Sequence, residues 1–226
     1  MPGVRERRLV VVVRAGARAS VLLDLRKVCT HALTVMLERG AELSLRVHSG
    51  SRTSSTLVQT CTVAARARLQ WQNLTEGNVQ QSLAIRVTGA AGHAEVRWAA
   101  HAKKRETQEL SAHVLFAAPR GSGETELRAA VEEHAITLLR GKVEVARGAK
   151  GTETHLTEQV LLLDPTAKTD AVPELSIATN EVKAGHRATI SKISPEDLFY
   201  LASRGIPARE ARRMYVEGFL GELSPL

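Results

Sequence analysis

From Leu9 onward the chain alternates apolar and polar positions in short runs. Leu43-Ser44-Leu45-Arg46-Val47-His48 sets three aliphatic side chains against Ser, Arg and His. Leu83, Ile85 and Val87 share one face opposite Ala84 and Arg86, and Val143 and Val145 alternate with Lys142 and Glu144. A period of two predicts strands buried on one face only. Short Gly-Ala turns punctuate the runs: Ala15-Gly16-Ala17-Arg18, Arg39-Gly40-Ala41-Glu42, Gly89-Ala90-Ala91-Gly92 and Arg147-Gly148-Ala149-Lys150. Glycine supplies a corner with positive φ that other residues resist. Gly16 and Gly40 lie 24 residues apart, an interval that suits a coil of short strands joined at corners; later spacing is looser.

Many short strands with small turns fit a sandwich, a barrel or a β-solenoid. Val, Leu, Ile and Ala fill thin stacked layers without aromatic bulk, and a chain with only three Phe, two Trp and two Tyr leans toward the solenoid on that ground. Neighbouring coils would share continuous apolar layers, so only the terminal coils need capping. The period changes at Ser194. Ser194-Pro195-Glu196-Asp197 opens a helix, with a capping hydroxyl, a proline suited to the first turn and two acids at the positive end of the helix dipole. Leu198, Leu201 and Ala202 share its face and Gly205 ends it. A second helix begins near Pro207, with Ala211, Met214, Tyr215 and Phe219 at three- and four-residue steps. The expected organisation is a β core over residues 1–193 and a helical subdomain over 194–226. Pattern alone leaves two roles for the helix pair: a cap on the open end of the solenoid, or a docking surface for another protein.

Composition narrows the chemistry. The 226-residue chain carries a formal net charge of +7, and Arg supplies most of it. Such a balance fits a basic module for nucleic acid or another polyanion, but the few aromatics leave no stacking platform and the cations alternate with apolar residues, as on a solvated strand face. No apolar run approaches the length of a membrane span. The charged Arg5, Arg7 and Arg8 followed by Leu9–Val13 make too short an apolar run for a signal peptide, since Arg14 interrupts it. Cys29 and Cys61 form no metal-spacing motif and no disulfide framework, so a reducing, cytoplasmic setting is expected. Glu153, Thr154 and His155 with Glu158 form one possible metal constellation, because Glu153 and His155 project to one face of a strand. No Gly-rich Walker loop occurs, so ATP hydrolysis would belong to a partner. A carbohydrate-active solenoid would need paired carboxylates or an acidic calcium groove, where the strand faces offer mostly Arg, Ser, Thr and Gln.

One string gives a sharper reading. Gly141-Lys142-Val143-Glu144-Val145, Leu161-Leu162-Leu163-Asp164 and Pro173-Glu174-Leu175 lead to Asn180-Glu181-Val182-Lys183-Ala184-Gly185-His186-Arg187-Ala188-Thr189 and then to Asp197-Leu198-Phe199-Tyr200-Leu201-Ala202-Ser203-Arg204-Gly205-Ile206. In that order it resembles the C-terminal core of the SufB/SufD family, the scaffold proteins of the Suf iron–sulfur cluster assembly system. The resemblance implies a parallel β-helix followed by a helical end, a non-catalytic scaffold role, and pairing of strands near His186 with a SufB/SufD-type subunit or a second copy of the chain. It further implies that a SufC-like ABC-type ATPase docks on Leu198, Phe199, Tyr200, Arg204, Gly205 and Ile206. His186 matches the family histidine at the subunit interface and is the expected iron ligand or proton handler; Glu181 is the second candidate toward the cluster. The family often has cysteine where this chain has Ala184, and no cysteine follows Cys61. The soft thiolate that iron prefers is therefore missing there, which implies a SufD-like role with no cluster held tightly by the chain alone and a transient cluster or iron in the assembly. Family members carry a helical region before the β-helix, so a minimal member, natural or truncated, is expected.

Overall fold

A computed structural model describes residues 7–26 and 30–223. Their strands are β1 (Arg7–Val13), β2 (Arg18–Asp24), β3 (Thr30–Leu37), β4 (Glu42–Val63), β5 (Arg68–Val87), β6 (His93–Ala102), β7 (Thr107–Phe116), β8 (Ser122–Val131), β9 (Ile136–Val145), β10 (Thr152–Leu162), β11 (Lys168–Ala171), β12 (Glu174–Ile177) and β13 (Val182–Lys192), followed by helices α1 (Pro195–Ser203) and α2 (Ala208–Leu220). Every strand pairing is parallel. Together they make the expected parallel β-solenoid, of about 6 turns.

Each coil crosses two faces. Face one stacks β1, β3, residues 55–63 of β4, residues 79–87 of β5, β7, β9 and then β11 with β12. Face two stacks β2, residues 42–51 of β4, residues 68–77 of β5, β6, β8, β10 and β13. The long strands β4 and β5 bend from face two to face one, with a register shift between Ser51 and Ser55. Gly77 makes that bend possible: its φ is +77°, and a Cβ there would lie 2.1 Å from the Ser51 carbonyl oxygen.

The period-two alternation becomes vertical columns. On face two, Leu45, Trp71, Val96, Thr125 and Leu156 are in register and all are buried. Trp71, Trp98 and Phe116 are the largest fully buried side chains in a core built mostly from Leu, Val, Ile and Ala. Burying each large aliphatic side chain favours the fold by about 1.5–3 kcal/mol. The indole N–H groups are satisfied inside, Trp71 by Asn73 Oδ1 and Trp98 by Thr75 Oγ1, both at 2.9 Å.

The turns from face one to face two form a second ladder. Gly16, Gly40, Arg66, Ala91, Arg120 and Gly151 all have positive φ, between 56° and 70°. Each donates its N–H to the next coil, to the carbonyl of Arg39, Ala65, Ala90, Pro119, Lys150 and Glu181 respectively. The interval between these corners grows from 24 residues (16 to 40) to 31 (120 to 151), yet every coil supplies the same rung. Three rungs use a residue with a Cβ, at a cost of about 1–2 kcal/mol each.

The helices do not cap the open end. Val216, Leu220 and Leu223 pack on Leu74, Ala99, Ala130, Leu161 and Leu163, the outer side of face two. Arg212 clamps the Asp164 carboxylate with two bonds of 2.9 Å, and Arg128 Nη1 donates to the Phe219 carbonyl at 2.8 Å. Of the two roles that the pattern left open, a cap on the open end is the one this packing removes. The reason lies in the strands: Ala99 and Ala130 give face two an apolar exterior that α2 covers. Met214, expected on the packing face, is exposed, and Val216 and Leu220 take its place. Neither helix among the described residues is long and apolar enough to cross a membrane.

Candidate functional site

β13 is the last strand of face two. Its core-facing positions continue the columns beneath them: Val182 over Thr152, Ala184 over Thr154, His186 over Leu156, Ala188 over Glu158 and Ile190 over Val160. No further coil stacks on it among the described residues, so His186 and Ala188 are exposed and Ile190 is half exposed at 51%. His186 thus occupies a core column at the point where that column opens to solvent. The edge leaves unpaired backbone groups beside apolar side chains, a template for another strand.

Glu181 sits apart from His186. Its carbonyl accepts the last rung of the corner ladder from Gly151 at 2.6 Å, and its carboxylate pairs with Lys150 Nζ at 2.7 Å. Five residues of nearly extended chain separate it from His186, roughly 16 Å. The strand does not bring the two candidates together, and Glu181 is held as a corner residue.

The Glu153, His155 and Glu158 constellation is not a metal site. Glu153 and His155 share the outer face as expected, with Glu153 bonded to Lys183 at 2.7 Å. Glu158 points into the core and is 0% exposed. Three residues beyond His155, it falls on the opposite side of a strand of period two. Among the described residues no group of three or more His, Cys, Asp or Glu could hold a metal ion. Glu158 Oε1 accepts the Gly141 N–H at 2.5 Å, while Oε2 is buried without a partner. Burial pushes its carboxyl up to about 7, against the Gly141 bond that favours the anion. A Cβ on Gly141 would lie 2.7 Å from that same Oε1, so glycine opens the space the carboxyl occupies. The bond has a local cause: β11 ends opposite Leu139 and β12 resumes opposite Lys142, which leaves Gly141 beside the break at Val172-Pro173.

Cys61 is a core residue, and burial pushes its thiol pKa up, away from the reactive thiolate. Cys29 lies outside the described residues, so a meeting of the two cysteines is not part of this structure.

At the helical end, α1 presents Phe199 and Tyr200 to solvent at 75% and 58% exposure. Arg204 and Gly205 are exposed beside them, and Leu198 and Ile206 are half-buried. The Arg204 guanidinium lies 5.5 Å from the Tyr200 ring centre, a cation–π distance. Gly205 (φ +81°) ends the helix as expected: its N–H donates to the Ala202 carbonyl at 2.9 Å and that of Ile206 to Leu201 at 3.1 Å, the paired bonds of a Schellman cap. Sequence reasoning missed the seat of α2. Its signal was a break in the alternation, apolar on both faces at Trp98-Ala99-Ala100, Ala129-Ala130-Val131 and Val160-Leu161.

The family profile described as "SUF system FeS cluster assembly, SufBD core domain" matches residues 3–219. An iron–sulfur cluster assembly SufBD family protein of Mycobacterium tuberculosis is 33% identical over 161 residues, covering 69% of this chain and 19% of that protein. A second from the same organism is 35% identical over 153 residues, covering 64% and 38%. One from Staphylococcus aureus is 33% identical over 121 residues, covering 54% and 26%. The chain spans less than two fifths of the length of each of these relatives. With a parallel solenoid, a terminal helix pair and a family profile over nearly its whole length, this chain belongs to the SufB/SufD family of iron–sulfur cluster assembly proteins.

Proposed function

We propose that this chain is a non-catalytic, SufD-like scaffold subunit, which pairs along β13 with a SufB/SufD-type subunit and docks a SufC-like ABC-type ATPase on α1. The observation that carries the reading is the open column of β13: His186 stands in register with core residues yet faces solvent. Pairing there would cover Ala188 and Ile190 and bring His186 against the partner. The cluster is cargo. From this chain the described residues offer it the His186 imidazole, neutral imidazole being a ligand for iron, while Cys61 is enclosed. Thiolates would come from the partner. Exposed Phe199 and Tyr200 are the anchors proposed for the ATPase, since aromatic side chains carry much of the energy at interfaces.

Co-purification and anaerobic reconstitution test this. Phe199→Ser with Tyr200→Ser is expected to fold normally and to lose ATPase binding. His186→Ala is expected to keep its fold and ATPase binding and to lower the cluster absorbance of the full assembly sharply. Unchanged cluster yield from a folded His186→Ala assembly would remove His186 from the proposed site.

A further inference from the structure

The column of corners between the faces is also the most basic strip of the molecule. Arg39, Arg66, Arg120 and Arg147 stand on four of five consecutive turns, the Gly89–Gly92 turn between Arg66 and Arg120 carrying none, and Arg68 begins the strand after one of them; all five are exposed. None of the five forms an ion pair among the described residues, whereas each acid in the strip is already engaged: Glu38 by Arg14, Glu42 by Arg18 and Glu181 by Lys150. The opposite turns, from face two back to face one, mix Lys103, Lys104 and Arg105 with Glu106, Glu132, Glu133 and Asp164. The charge surplus belongs to one edge. Moreover, Arg66 and Arg120 hold left-handed φ values of 59° and 57°, where glycine, used at three other rungs, would be free of strain.

We propose that this strip docks an acidic polypeptide segment. The corner ladder fixes the arginines at the pitch of neighbouring strands, so Arg39 to Arg147 spans about 19 Å, the length of a helix of about 13 residues. Between them Ala and Gly keep the surface low, and guanidinium forks match carboxylates in pairs. A nucleic-acid strand fits less well. The strip contains no aromatic side chain for a base to stack on, and Glu38, Glu42 and Glu181 recur along it where a continuous phosphate backbone would meet them. A peptide can leave those positions neutral or basic. The surface is distinct from the β13 edge and from α1, so the proposal stands apart from the assignment of subunit and ATPase contacts.

Fluorescence anisotropy with a labelled peptide of about 13 residues that alternates glutamate with alanine, at low salt, is the test, with labelled oligothymidylate as the second probe. The peptide should bind the wild-type chain, weaken as salt rises, and lose at least about tenfold in affinity with Arg39→Ser, Arg66→Gly and Arg120→Gly combined. Two of those changes relieve backbone strain, so this variant should melt no lower than wild type. Arg39→Glu with Arg147→Glu, two residues that do not themselves have positive φ, is a second variant expected to abolish binding. Lys103→Ser, Lys104→Ser and Arg105→Ser combined should leave affinity within about twofold. Absence of peptide binding, equal losses from the two edges, or tighter binding of oligothymidylate than of the peptide would overturn the proposal.

Discussion

Glu158→Gln is expected to make the protein more stable in mild alkali relative to wild type and to flatten its stability against pH. In the folded state burial raises the Glu158 carboxyl from 4.5 to about 7. Between those values the folded chain binds more protons than the unfolded one, so wild-type stability falls as pH rises and the full loss is reached above about 7. At about 1.4 kcal/mol for each tenfold change in proton affinity, the rise corresponds to about 3 kcal/mol. Glutamine does not titrate and can still accept the Gly141 N–H. Its amide group replaces Oε2, which is buried without a partner in wild type; that pH-independent cost cancels when the comparison is made across pH. Urea unfolding of both proteins at pH 4.5 and pH 8 gives the double difference. The variant should gain about 3 kcal/mol on wild type between the two conditions, or roughly 6–12 °C in melting temperature for a chain of this size. Parallel stability curves for the two proteins would refute the assignment of a titrating carboxyl to the core.

Other outcomes follow from the same structure. Arg212→Ala should cost about 1–2 kcal/mol, between an exposed and a buried ion pair, and limited proteolysis should then cut faster between β13 and α2. Ala91→Gly should raise stability by about 0.5–1 kcal/mol by relieving left-handed strain, whereas Gly77→Ala, forced against the Ser51 carbonyl, should lower it by at least about 2 kcal/mol; thermal melts of both report the contrast. His101 holds the Glu132 carboxyl below its usual range, so that bond contributes above pH 4.5 and is lost as pH falls through the lowered value; Glu132→Gln should therefore destabilise more at pH 6 than at pH 3 by denaturant titration.

Strand alternation was legible because a solenoid face buries every second residue for its whole length. Gly16, Gly40 and Gly205 were legible as positive-φ positions for the same local reason. Arg66, Ala91 and Arg120 were not, since their left-handed corners are imposed by the rung above and below and leave no mark in residue type. The split of Glu158 from Glu153 and His155 follows from period two and could have been read directly. The seat of α2 depended on Ala99 and Ala130 facing outward on separate coils, a coincidence in space that appears in the chain only as scattered breaks in alternation. His186 was found through family likeness; its place on an opened core column is a property of the stack.

The position of α2 has a consequence for how the molecule comes apart. A coil in a solenoid touches only its two neighbours, so unfolding tends to proceed by fraying from either end. Here α2 and the short 3-10 turn after it rest on Leu74, Ala99, Ala130 and Leu161, one residue from each of four successive strands of face two. Such a brace makes those coils share one opening event. Amides of β5, β6, β8 and β10 should exchange with solvent deuterium as a single slow cohort, while β1 and β2, beyond its reach, open early and alone.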